Sequence, residues 1–114
     1  IITGKSYIPD MYWALVGNKI VGRIGLRHRL TKELRSFGGH VGQDVAPSEQ
    51  RKGYGSEMLQ QILVKARKLG MKKVLLTCKI NNTGSRRLIE KSGGKLDKIV
   101  EHDERKECLY WIKL

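Results

Sequence analysis

The sequence predicts an α/β fold, an α+β mixed sheet with helices packed on it, in the order β-β-β-α-β-α-β-β. Three observations predict it. Met58, Leu59, Ile62, Leu63, Ala66 and Leu69 recur at helical spacing through residues 55–69. A nearly continuous apolar run, Lys73 to Cys78, reads as a strand covered on both faces. The flanking stretches, Met11 to Leu30 and Lys95 to Leu114, place apolar segments around short polar turns, as hairpins do.

Taken in order, Met11 to Val16 reads as the first strand, and Gly17-Asn18 is a tight-turn pair. Ile20 to Leu30 then alternates, with Ile20, Ile24, Leu26 and Leu30 on one face and Arg23, Arg27 and Arg29 on the other. Thr31 to Ser36 is polar and reads as a loop. Phe37 to Val45 reads as a third strand, whose Gly38, Gly39 and Gly42 imply a bulge or a molecule lying close to the backbone. Ala46-Pro47 ends it. The long helix stops at Gly70, with Lys65, Arg67 and Lys68 in its last turns, where cations suit the helix dipole. Asn81 or Asn82 can cap a second, shorter helix carrying Leu88 and Ile89, which Gly93-Gly94 would end. Lys95 to Val100 and Glu107 to Leu114 form a closing hairpin across residues 102–106.

Composition narrows the function classes. The 114 residues are one domain's worth of chain. No apolar run approaches the ~18 residues of a membrane span. Two cysteines, Cys78 and Cys108, make no disulfide framework, and three scattered histidines without a CxxC pair give no metal site. No signal-peptide pattern appears, so a cytoplasmic compartment is the expectation. The net charge of +12 is concentrated between Gln50 and Lys95, where twelve basic residues face two acidic ones. Such a field attracts polyanions, whether nucleic acid, anionic lipid or a phosphorylated cofactor, and is also the mark of a solvated, lysine-rich helix face.

Local sequence points to a phosphate. Between the glycine-rich strand and the long helix lies Val45-Ala46-Pro47-Ser48-Glu49-Gln50-Arg51-Lys52-Gly53-Tyr54-Gly55. A short glycine-containing loop entering a helix N-terminus directly after a strand is an anion-binding arrangement. The first-turn N–H groups lack intrahelical partners, and the dipole puts partial positive charge there. Gly53 and Gly55 let the backbone approach closely, and Arg51 and Lys52 add two charges. There is no G-K-[ST] and no third phased glycine, so neither a P-loop nor a dinucleotide fingerprint is present.

The stretch Gln50-Arg51-Lys52-Gly53-Tyr54-Gly55 resembles motif A of the GNAT superfamily of acyl-CoA-dependent N-acetyltransferases, Q/R-x-x-G-x-G/A, at every fixed position. The residues Asn82-x-x-Ser85-x-x-Leu88-Ile89-x-Lys91-x-Gly93-Gly94 resemble the motif B that follows it. The resemblance implies splayed central strands binding acetyl-CoA as cosubstrate. It implies that the N–H groups of Gln50, Arg51, Lys52, Gly53, Tyr54 and Gly55 hold the pyrophosphate. It places the backbone of Asp44 and Val45 along the pantetheine arm, Asn82 and Ser85 near its thiol end, and Arg86 reaching outward. The reaction implied is direct transfer of acetyl to the primary amine of a small-molecule or peptide acceptor in a ternary complex. Against the family pattern, residues 1–114 read as a single domain without the usual N-terminal strand and helices, and the chain opens on Ile1 rather than Met.

Acid–base candidates are sparse. Many relatives carry a Tyr as general acid in the second helix, where this chain has Ile89, which leaves Ser85 or water to protonate the thiolate. Some relatives carry a Glu or His base on the glycine-rich strand, and here His40 is the titratable candidate before Asp44. A histidine's pKa near ~6.5 suits proton abstraction around neutrality, but simple alternation puts His40 on the face opposite Val41 and Val45, and the other reading of it is structural. Tyr54, Trp13 and Trp111 read as packing residues, Cys78 and Cys108 as buried thiols, and His28 and His102 as surface residues. A homodimer, common in the family, is neither required nor excluded by these residues. The rivals are a basic nucleic-acid-binding module, disfavoured by the lack of a helix-turn-helix, RNP-like aromatic pair or zinc finger, and a coenzyme-binding fold without catalysis.

Overall fold

The computed structural model describes residues 3–8, 11–35 and 38–114. Its elements are β1 (Thr3–Ile8), β2 (Met11–Val16), β3 (Lys19–Leu26), β4 (Val41–Val45), a 3-10 turn (Pro47–Glu49), α1 (Tyr54–Lys68), β5 (Lys73–Lys79), α2 (Thr83–Lys91), β6 (Lys95–His102) and β7 (Arg105–Lys113). The strands form one seven-stranded sheet in the order β1-β2-β3-β4-β5-β7-β6. Neighbours run antiparallel except β4 and β5, which are parallel. The mixed α/β class and the order from Met11 onward are as expected. β1 stands ahead of them, and its TGKSYI sequence carries no apolar alternation that would announce a strand.

Helix α1 forms where the apolar stripe lies. Met58, Leu59, Ile62, Leu63 and Ala66 are all buried against the sheet, each removing about 1.5–3 kcal/mol of apolar exposure for the larger side chains. Its C-terminus closes as a Schellman motif. Met71 N–H donates to the Ala66 carbonyl (3.1 Å) and Gly70 N–H to the Arg67 carbonyl (3.0 Å), with Gly70 at φ 85°. Helix α2 is capped by Asn82, whose Oδ1 accepts from Ser85 N–H at 3.1 Å, which resolves the choice between the two asparagines.

Two expectations shift. The alternation expected through Ile20–Leu30 is broken by a bulge opposite Ala14 and Leu15, where Val21 has no register partner. The extra residue turns Val21 into the core (0% exposed) and leaves Ile20 outside (55%). β3 also ends at Leu26, and β4 begins at Val41 rather than Phe37, which lies outside the described residues. Gly38 N–H donates to Thr77 Oγ1 (2.8 Å) and Gly39 N–H to the Leu34 carbonyl (2.9 Å). Among the described residues, no helix is long and apolar enough to cross a membrane.

Candidate functional site

The sheet comes apart at its centre. β4 and β5 share a single register pair, Val41 with Leu76. Beyond it β4 continues to Val45 and β5 to Lys79 without pairing to each other. The two helices begin at the open end of this gap, α1 after β4 and α2 after β5. They meet on its helix-bearing face. A Cβ built at Gly55 would lie 3.4 Å from Gln43 Nε2, 3.5 Å from Leu88 and 3.7 Å from Val45.

The edge of β4 that borders the gap follows from its ladder with β3. Ala46 N–H donates to Val21 O (2.8 Å) at one end, and His40 O accepts from Arg27 N–H (2.6 Å) at the other. In an antiparallel ladder such pairs recur every second residue, so Gly42 and Asp44 turn their peptide groups to β3. Gln43 and Val45 therefore turn theirs to the gap, one position on either side of Asp44. Val45 O is satisfied by Gln50 Nε2 at 3.1 Å. Gln43 Nε2 donates to Gly55 O (3.3 Å), while its Oε1 is buried with no hydrogen-bond partner. The Asp44 side chain lies on the other face and pairs with Arg23 Nε at 2.9 Å.

The loop into α1 is shaped by two left-handed positions, Arg51 (φ 65°) and Gly53 (φ 87°), a geometry that gathers backbone N–H groups into a concavity. Gly53 is the N-cap and contributes no side-chain cap, so Tyr54, Gly55 and Ser56 begin the helix with unpaired N–H groups. A Cβ at Gly53 would meet nothing within 4 Å. Arg51 is exposed, whereas Lys52 is tethered: its Nζ lies 3.4 Å from both carboxylate oxygens of Glu49. Glu49 is buried (4% exposed) and also takes Lys19 Nζ at 3.0 Å from the start of β3. The Lys19 hydrogen bond is the main cause holding its carboxyl below the usual range, and Lys52 and Ser48 add to it. Glu49 thus pins the loop to the sheet. A lone acid in a polar loop carries no sequence signal for such a role, and a neutral Gln43 carries none either.

Beyond the gap, Asn82 is exposed and Ser85 half-buried at the start of α2. Arg86 does not reach outward as expected. It turns inward, donating from Nε to Tyr110 Oη (3.0 Å) and from Nη1 to Ile80 O (3.3 Å), and Tyr110 Oη donates to Glu90 Oε2 at 2.7 Å. This network lashes α2 to β7. Ile89 is buried in the core. Tyr54 is half-buried and packs on the same core.

His40 is held by structural bonds. Its Nδ1 accepts from Leu75 N–H and its own N–H donates to Leu75 O, both at 2.8 Å. The ring meets Trp111 edge-on, with centroids 6.1 Å apart. With Nδ1 occupied, the neutral ring carries its proton on Nε2 and has no lone pair left to take another. Of the two readings of His40, base or structural residue, these bonds favour the structural one: it clasps β4 to β5. Burial, and then the Arg35 charge, pull its pKa down. Cys78 and Cys108 are cross-strand register partners, both buried and unbridged. Burial pushes the Cys78 thiol up to about 11, so it holds its proton. His28 is exposed, and the side chain of His102 lies outside the described residues.

Residues 5–94 match the family model of the acetyltransferase (GNAT) family. No curated protein matches the chain in sequence. Among solved structures, it is similar to a GnaT-family acetyltransferase from Bordetella pertussis (TM-score 0.75, 25% identity, 90% of this chain and 64% of that one). It is also similar to a GNAT-family acetyltransferase from Bacillus anthracis (TM-score 0.74, 26% identity, 91% and 66%). The fold is shared with a GNAT acetyltransferase from Elizabethkingia anophelis with acetyl-CoA bound (TM-score 0.70, 20% identity, 91% and 75%). The chain spans less than two thirds of the length of the first two. With its split sheet, its glycine loop and a family match over most of its length, the chain belongs to the GNAT acetyltransferase family.

Proposed function

We propose that the chain binds acetyl-CoA in the gap between β4 and β5 and transfers the acetyl group directly to the primary amine of an acceptor. The observation that carries this reading is the single β4–β5 register pair, Val41 with Leu76, with the uncapped N-terminus of α1 at the mouth of the gap. Two features of the gap fit the coenzyme. The buried Gln43 Oε1 lacks a donor, and a pantetheine arm carries amide N–H groups. The space beside Gly53 is open where a pyrophosphate would meet the N–H groups of residues 50–55.

The coenzyme supplies an acetyl group activated as a thioester. The chain's own part is to bind and orient. The peptide groups of Gln43 and Val45 present an extended edge to the arm, and their N–H groups are placed to stabilise oxygen that gains charge at the acyl carbon. Arg51 adds a full positive charge beside the helix terminus, while Glu49 fixes the loop. Asn82 sets the first turn of α2, and Ser85 in that turn, or water, returns a proton to the departing thiolate. The acceptor amine gives up its own proton to water, since His40 is committed to Leu75.

Calorimetric titration with acetyl-CoA tests the reading. Wild type binds, and Gly53→Glu binds at least roughly 100-fold more weakly, about 2.7 kcal/mol, because a carboxylate occupies the phosphate position. Gly53→Ala, which meets the same left-handed strain without the charge, loses less. No heat from wild type at high micromolar coenzyme would overturn the proposal. Thiol release in the presence of primary amines then separates transfer from binding alone.

A further inference from the structure

On the face of the sheet opposite the helices, a cavity of about 580 Å³ runs beside β4, lined by Met11, Arg23, Gly25, Arg27, Gly42 and Asp44 among others. Its floor includes the register pair Gly25 with Gly42, of which Gly25 is buried and Gly42 half-buried. Nothing inside the described chain requires glycine at residue 42. A Cβ there would meet only the Arg27 guanidinium, at an ordinary 3.7 Å, and its φ is not left-handed. By contrast, a Cβ at Gly22 would come within 2.5 Å of Asp44 O. A strand glycine without an internal reason is a place where another molecule approaches closely.

The charge of this groove has a sign. Among the described residues, two guanidinium groups line it against one carboxylate, and Arg23 already holds that carboxylate at 2.9 Å. Arg27 spends one N–H on Gly39 O (3.0 Å) and, among the described residues, has no carboxylate partner. Its planar fork lies at the groove's end with donors remaining, the arrangement that takes carboxylate or phosphate. The other end is Asp44, two residues along the same strand face and adjacent to Gln43, whose peptide borders the coenzyme gap.

We infer that this groove receives the acceptor, and that the acceptor is an amine that also carries an anionic group, seated on Gly42 with its anion on Arg27 and its nitrogen toward Asp44. The inference rests on the transferase reading above and names its substrate class. Amino acids, phosphorylated amines and acidic peptides share this chemistry, and the arms of the test separate them.

The test is calorimetric titration of the protein, with and without coenzyme, using matched amines. The pairs are L-phenylalanine against phenethylamine, O-phosphoethanolamine against ethanolamine, and an amidated acidic tetrapeptide against its lysine counterpart. At least one anionic member binds roughly tenfold more tightly than its partner, the scale of a charge-assisted hydrogen bond. Arg27→Gln abolishes that preference while the acetyl-CoA Kd stays within about twofold, because coenzyme and acceptor use different faces of β4. Gly42→Val, which fills the groove, weakens every amine and spares the coenzyme. The inference is overturned if no anionic amine outbinds its neutral partner, or if Arg27→Gln keeps the preference. Failure of wild type to bind acetyl-CoA would instead sink the transferase reading, and the amine preference would still be readable in the coenzyme-free titration.

Discussion

Strand β5 has two edges, and the chain treats them oppositely. Against β7 it pairs at every position from Lys73 with Lys113 to Lys79 with Glu107. Against β4 it pairs once, at Leu76. An interior strand that leaves most of one edge unpaired forgoes hydrogen bonds its backbone would otherwise make, and sheets ordinarily avoid this. Here Gly55 at the start of α1 sits against Gln43 and Val45 of β4 and Leu88 of α2, so the two helices meet over one face of the gap and leave the strand edges themselves unpaired. The closed edge is therefore the scaffold, and the open edge is where an extended ligand can supply the missing strand. The coenzyme titration of Gly53→Glu reads the open edge directly. Three further variants test how separate the two edges are.

The largest expected effect lies at the one junction. Gly39 takes φ 64°, and a Cβ there would collide with the Leu75 carbonyl, on the stretch of β5 that His40 clasps. Gly39→Ala combines left-handed strain with a backbone clash and should cost about 2–4 kcal/mol of stability, measured by urea denaturation. Coenzyme affinity should fall with it, because the gap begins where this junction ends. A variant as stable as wild type would mean that the parting of the strands is set elsewhere.

A smaller effect belongs to the closed edge. Tyr110 is fully buried, accepts from Arg86 and donates to Glu90. Tyr110→Phe keeps the ring and strands both partners, so it should cost about 1–3 kcal/mol. Coenzyme Kd should stay near the wild-type value, since β7 lies on the far side of β5 from the gap. A loss of affinity larger than the loss of stability would show that the α2 network reaches the site.

What was legible in the sequence follows the same division. Residues 50–55, the apolar stripe of α1 from Met58 to Ala66 and the Lys73–Cys78 run are local patterns that lie where expected, whereas Leu69, expected on the stripe, is the exposed C-cap. The misreadings are non-local. The Val21 bulge inverts the alternation at Ile20, and only the pairing with β2 reveals it. β1 has no apolar pattern of its own and exists through its register with β2. Glu49 carries no signal of its own and Arg86 is expected to reach outward, yet their partners stand 30 residues away at Lys19 and 24 away at Tyr110. Gln43 is a neutral side chain in a strand, and nothing but the opening of the gap makes its Oε1 conspicuous.

The smallest effect is a pH dependence at the clasp. His40 has a folded-state pKa below its unfolded value, by burial first and by Arg35 second. Above the unfolded pKa near ~6.5 the ring is neutral in both states and contributes no pH dependence. As the pH falls below that value the unfolded chain takes up the proton first, so unfolding is favoured and stability declines until the folded pKa is passed. Protonation would also put a hydrogen on Nδ1, facing Leu75 N–H, which needs an acceptor. His40→Asn supplies an Oδ1 in place of Nδ1 and does not titrate. Its thermal midpoint should therefore fall less between pH 7.5 and pH 5.5 than that of wild type, whatever the values at neutral pH. The two proteins differ at residue 40 alone, so the difference between their slopes belongs to that residue. Equal slopes for the two would show that the clasp tolerates a protonated ring, with Leu75 N–H finding another acceptor, and that the single junction between the strands is softer than its two 2.8 Å bonds imply.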